Sequence, residues 1–152
     1  MDKKLKKKIK PPQITIGWIE HIDLPELDLH DIRVKIDTGA RTSALHATKI
    51  EPFQRGGADW VRFNVQVSDD SPETTLETPL YETRHIKNTS GIPEERYVIR
   101  TQFCVAGQCW PASVSLTDRS SMRFPMIVGR STLKKHNVAV HTKRAHLTKP
   151  KV

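Results

Sequence analysis

The residues with the clearest chemical potential are Asp37-Thr38-Gly39, inside VKIDTGARTSAL at 34–45. An alternating apolar strand delivers Asp37 into a turn. A carboxylate that activates water needs a fixed position, and the end of a strand supplies one. Gly39 lets backbone amides approach that carboxylate. The Thr38 hydroxyl can hydrogen-bond across to a symmetry-related loop and lock the two together. Alone, the tripeptide is equally an ordinary turn, since Asp and Gly favour local hydrogen bonding. A second element raises its weight. FPMIVGR, 124–130, is an apolar run ending in Gly129-Arg130, and a short helix signal, STLKKH at 131–136, follows at once.

The surrounding elements read as strands. ITIGWI (14–19), IRVKID (32–37), LHATKIEPF (45–53) and DWVRFNVQV (59–67) carry β-branched or alternating apolar residues. So do LYETRHI (80–86), RYVIRTQFCV (96–105), QCWPASVSLTD (108–118) and VAVHTKRAHL (138–147). Residues 21–31 and the acidic stretch 68–78 read as loops. Trp18, Trp60 and Trp110 read as packing residues. Many short strands with frequent turns predict a mainly β chain, a barrel or sandwich, with one short helix.

The chain has 152 residues, 36% hydrophobic and 28% charged, with a net charge of +8. That suits one domain with a single core. No apolar run is long enough for a membrane helix. Lys3, Lys4, Lys6, Lys7, Lys8 and Lys10 crowd the start, and Lys143, Arg144, Lys149 and Lys151 the end. The body between is nearly neutral, so nucleic acid is not expected as the main partner. Residues 1–12 read as a disordered basic tail, 13–147 as the domain and 148–152 as a basic end. The start lacks the apolar core of a secretory signal, so the cytoplasm is favoured. The periplasm is the alternative if an upstream signal was removed.

Other chemistries find little support. His136, His141 and His146 are spaced by five, and no His-Glu-x-x-His pair is present. No metal or other cofactor is expected, nor is there a phosphate-binding Gly-x-x-x-x-Gly-Lys-Ser/Thr loop for ATP. Cys104 and Cys109 flank a hairpin tip. They form either a disulfide in an oxidising compartment or two small buried hydrophobes in the cytosol.

Asp37-Thr38-Gly39-Ala40 with Ile127-Val128-Gly129-Arg130 resembles the retropepsin-like aspartic peptidases. WIEHIDLPEL, KIDTGARTSALHA, DWVRF, RYVI and LTDRSSMRFPMIVGR occur in that order over about residues 15–146. Together they look like one bacterial branch labelled ATP-dependent zinc proteases. That branch includes the RimB-type peptidase of a ribosomal-protein glutamate-ligase system. The resemblance implies a closed acid-protease barrel with a short helix after Gly129-Arg130, and Asp37 as catalytic residue in a loop with Thr38, Gly39 and Ala40. It implies hydrolysis of peptide bonds by a water held between two carboxylates. With one Asp-Thr-Gly per chain, a homodimer is the simpler solution. Asp118 is the candidate within the chain, weighed against a structural salt-bridge role.

One departure stands out. Retroviral members place an acidic residue where this chain has Arg41, so Arg130 lacks its usual partner, and Asp118 or Glu20 are candidates to replace it. Two Arg41 residues would suit an acidic, glutamate-tailed peptide, and an ATP-grasp ligase system is the partner implied. Hairpins at 53–60 and 84–97 are candidate flaps, the second preferred. The alternative function is a binding module on the same fold, without catalysis, for acidic peptides or a ligase partner.

Overall fold

Alternation builds the wall that carries the site. In Leu29–Ile36 (β3), Leu29, Ile32, Val34 and Ile36 are buried, whereas Arg33 points outward. The structure, a computed structural model, describes residues 13–87, 91–119 and 123–148. The basic segment 1–12, most of the basic end, and residues 88–90 and 120–122 lie outside the described residues.

Before β3 come Ile14–Gly17 (β1), Ile19–Leu24 (β2) and a 3-10 turn at Pro25–Leu27. After it come Ser43–His46 (β4), Thr48–Arg55 (β5), Ala58–Val65 (β6), Thr74–Pro79 (β7), Glu82–Lys87 (β8), Pro93–Val105 (β9), Gln108–Thr117 (β10) and Met126–Val128 (β11). A single helical turn, Arg130–Leu133 (α1), and Val138–His141 (β12) complete the order. Six strands pair as β10-β4-β11-β3-β2-β9, and β9 pairs with β10 to close a barrel. β8 extends β9 outside the ring, β5-β6-β7 form a separate sheet, and β1 pairs with β12 in parallel. Ile22, Ile32, Val34, Leu45, Ile99, Phe103, Val114 and Met126 fill the interior, and Phe63 of β6 adds to the same core. The mainly β, closed retropepsin-like barrel with one short helix matches the reading of the sequence.

Several boundaries differ. Residues 21–31 are not a loop. β2 and β3 continue through them as an antiparallel pair closed by the 3-10 turn. Their Asp and His residues occupy the outward side, and Asp23 accepts the Asp31 amide at 2.7 Å. The acidic stretch 68–78 is not all loop: from Thr74 it enters an edge strand, with Thr74 through Pro79 paired to β6. Thr suits a pleated, half-exposed surface, and an edge tolerates Pro79. The segment at 45–53 divides into β4, which belongs to the barrel, and β5, which leaves it. The helix covers 130–133 rather than 131–136, and the last strand stops at His141. Cys104 and Cys109 face each other across β9 and β10 and are joined as a disulfide.

Candidate active site

The site loop, 37–42, exists because β11 lies between β3 and β4. β11 runs parallel to β3 and antiparallel to β4. The chain must therefore pass around the end of β11 to get from β3 to β4, and that passage is Asp37-Thr38-Gly39-Ala40-Arg41-Thr42. The Asp37 amide donates to Val128 O at 2.8 Å, and the Ala40 amide donates back to Asp37 O at 3.1 Å. The Gly39 amide donates to Asp37 Oδ1 at 3.1 Å. That last bond points the carboxylate over its own turn, and Asp37 stays half-exposed.

The Gly129-Arg130 element clamps the loop from beneath. The Arg130 amide donates to Ala40 O at 2.9 Å and the Ser131 amide to Arg41 O at 3.0 Å. Gly129 touches the backbone of Thr42 so closely that a Cβ there would lie 2.6 Å from Thr42 C and O. The Arg130 guanidinium donates through Nη1 to Thr38 O at 3.0 Å and Gly39 O at 3.3 Å. The loop's own carbonyls thus receive Arg130.

A buried support that the sequence reading missed is Ser43. It is fully buried; its Oγ accepts the Gly129 amide at 3.0 Å and lies 2.5 Å from Thr132 Oγ1. Trp110 completes this base. Its Nε1 donates to Thr132 O at 2.8 Å and its ring stacks on His136 at 4.0 Å. The polar pair Thr42-Ser43 heading an apolar strand was the available signal.

Asp118 and Glu20 lie elsewhere. Thr117 pairs with His46, so Asp118 follows the end of β4 opposite to Asp37. It borders a hollow with Lys49, Glu94 and Tyr97. The Tyr97 phenol there is held above its ordinary value, chiefly by desolvation, then by Glu95 beside it. Glu20 is fully buried; it accepts from the amides of Gly17 at 2.6 Å and Leu147 at 2.8 Å, and from Thr148 Oγ1 at 2.8 Å. Neither carboxylate meets Arg130. Arg41 is exposed and borders a groove shared with Arg84 of β8. Arg84 sits in the base of the β8–β9 hairpin, the preferred flap candidate, but Glu94 and Glu95 nearer its tip border the Asp118 hollow at the end opposite to Asp37. The described part of this hairpin therefore does not cover the loop; Asn88, Thr89 and Ser90 lie outside the described residues.

The donor set does not fit zinc. Among the described residues, no three of His, Cys, Asp or Glu are grouped to hold a metal ion. His136 stacks on Trp110, His146 stacks on His21, and His141 Nδ1 accepts the amides of Lys143 and Arg144. No helix among the described residues is long and apolar enough to cross a membrane.

Comparison with known proteins agrees with this geometry. A protein of unknown function (DUF785) from Legionella pneumophila has the same fold, with a TM-score of 0.75 at 24% identity over 91% of this chain and 100% of that one. A "Probable alpha-L-glutamate ligase" of Parasynechococcus marenigrum is 42% identical over 123 residues, 80% of this chain and 26% of that protein. One of the same name from Shewanella pealeana is 37% identical over 123 residues, 80% of this chain and 27% of that protein. The chain thus spans about a quarter of the length of these curated relatives. The family model described as "Retropepsin-like aspartic endopeptidase RimB" matches residues 15–151. With that match over nearly the whole barrel and its clamped Asp-Thr-Gly loop, the chain belongs to the RimB-like family of retropepsin-like aspartic endopeptidases.

Proposed function

We propose that this chain is an aspartic endopeptidase that works as a homodimer, each protomer contributing Asp37. The observation that carries the reading is a single half-exposed carboxylate on a loop fixed from both sides, by β11 and by Gly129-Arg130. A two-fold axis passing between two such loops brings the carboxylates together. Two adjacent carboxylates cannot both ionise, so they share one proton. The ionised one takes a proton from water as the oxygen adds to the scissile carbonyl. The protonated one donates to the carbonyl oxygen. Collapse of the tetrahedral intermediate then breaks the C–N bond, with a proton passing to the leaving amine.

Arg41, in the loop and exposed, favours acidic substrates such as glutamate-tailed peptides. The relatives named as glutamate ligases support a working partnership with an ATP-grasp ligase system. A ligase that consumes ATP suits the cytoplasm. The Cys104–Cys109 bond is the observation pointing the other way, to an oxidising compartment. The ligase-named relatives also favour a second reading, in which the fold binds an acidic peptide or ligase without cleaving.

The test compares wild type with Asp37→Asn on a glutamate-tailed peptide and on an unfolded protein, with products read by mass spectrometry. Asn keeps the oxygen that Gly39 binds, so the loop survives while the shared proton is lost. A fall in kcat/KM of at least about 10³-fold is expected. Equal cleavage by both proteins rejects the dyad. Tight binding with no turnover by either selects the binding module.

A further inference from the structure

Beside the Asp37 loop runs a groove of about 660 Å³ between the outer faces of β9 and β10 and the end of α1. Its cations are Arg41, Arg84, Arg100, Lys134, Lys135 and, when protonated, His136. Among the described residues no carboxylate lines it. Among the described residues, Arg84 alone of these has an acidic partner, Glu82 at 2.6 Å. Arg100 is held outward by donating to Ser113 Oγ at 2.9 Å, across the β9–β10 pair. The arginines of the β5-β6-β7 sheet show the contrast. Arg55 pairs with Glu77 at 3.1 Å, and Arg62 lies near Glu51 and Glu77. On that surface charge is compensated within the chain. In the groove, all but Arg84 of these like charges face one hollow with no acidic partner among the described residues, which is unfavourable unless an anion enters.

We infer that this groove is an exosite that holds a run of peptide carboxylates alongside the cleavage loop, with Arg100, Lys134 and Lys135 as its specificity residues. It lies beside the Asp37 turn and meets the loop through Arg41 and Thr42. The inference rests on the proposed peptidase function only in taking the anion to be a peptide. The lining favours that choice over nucleic acid. Hydroxyls of Ser113 and Ser131 are present to bond carboxylates, whereas the ring of His136 is already stacked on Trp110, and the Tyr81 ring, outside the lining, lies under Arg100.

The experiment measures fluorescence anisotropy of labelled oligoglutamate with the full chain as Asp37→Asn, so that turnover plays no part. A Lys134→Glu/Lys135→Glu variant on that background is expected to weaken binding at least tenfold. Arg100→Glu is expected to add to the loss, and Lys134→Arg/Lys135→Arg to retain affinity. Both lysines are exposed, and a thermal melt verifies the fold. Unchanged affinity in the double charge reversal overturns the exosite and assigns any binding to the basic tail. Single-stranded RNA of equal charge binding as tightly, and equally sensitive to the reversal, also overturns it and makes the groove a nucleic-acid site. Loss of cleavage activity in wild type with intact, lysine-dependent binding would sink the peptidase reading alone.

Discussion

Gly129 shows how narrowly the site is specified by single atoms. Its α-carbon lies where any side chain would press into backbone, and Thr42 cannot move without shifting the loop that carries Asp37. Gly129→Ala should therefore cost roughly 1–3 kcal/mol, read from urea unfolding. It should also reduce activity more than the stability loss alone explains, since the displaced segment is the loop itself. An unchanged midpoint would show that the contact relaxes freely. Asp37, Gly129 and Arg130 were legible in the sequence because a strand, a turn and an apolar-Gly-Arg run each leave a local pattern. Ser43 was not. Its role depends on partners 86 and 89 residues away, Gly129 and Thr132, which no local spacing encodes. The partner of Arg130 was hidden for a related reason. It is backbone, the carbonyls of Thr38 and Gly39, and every residue type carries one.

At the scale of elements, a helix of one turn cannot hold itself, because nucleation is unfavourable and only the first bonds are made. α1 is kept in place by what it touches: Ser43 beneath Gly129 and Thr132, and Trp110 through an indole hydrogen bond to Thr132 O. Trp110→Phe removes that donor and reduces the stack on His136 while keeping much of the ring volume. Amide exchange in 130–133 should accelerate selectively, with the barrel strands still protected, and global stability should fall by about 1–3 kcal/mol. Uniform loss of protection would mean that the indole supports the whole barrel rather than the clamp. The limits of sequence reading lie at this scale too. Polar residues at 21–31 and the Thr-rich, Pro-ended run at 74–79 look like loop composition. Both are strands whose outward side is polar, and their inward residues, Ile22, Leu24 and Leu29 in the first case, carry the pattern in too few positions to stand out. The insertion of β11 between β3 and β4 creates the site, yet it is a pairing order, and pairing order is set by the closed barrel as a whole.

For the whole molecule, the decisive feature is that one chain presents one clamped Asp-Thr-Gly loop. The second carboxylate considered within the chain, Asp118, sits beyond the opposite end of β4, which at about 3.3 Å per residue separates it from the loop by most of a short strand. If the dyad is shared between protomers, activity depends on pairing and not only on the fraction of intact chains. Wild type and Asp37→Asn, dissociated together and reassociated at equal amounts, should distribute at random. Roughly a quarter of the dimers would then have two intact carboxylates. Total activity should fall to about that quarter of the value for the same total protein as pure wild type. A dyad completed within one chain would instead leave about half, because each wild-type chain would act alone. Titrating the mutant further separates the two laws: a shared site decays as the square of the wild-type fraction, and an intrachain site decays linearly. A linear decay would move the search for the second carboxylate back into the chain and leave the clamped loop as its fixed half.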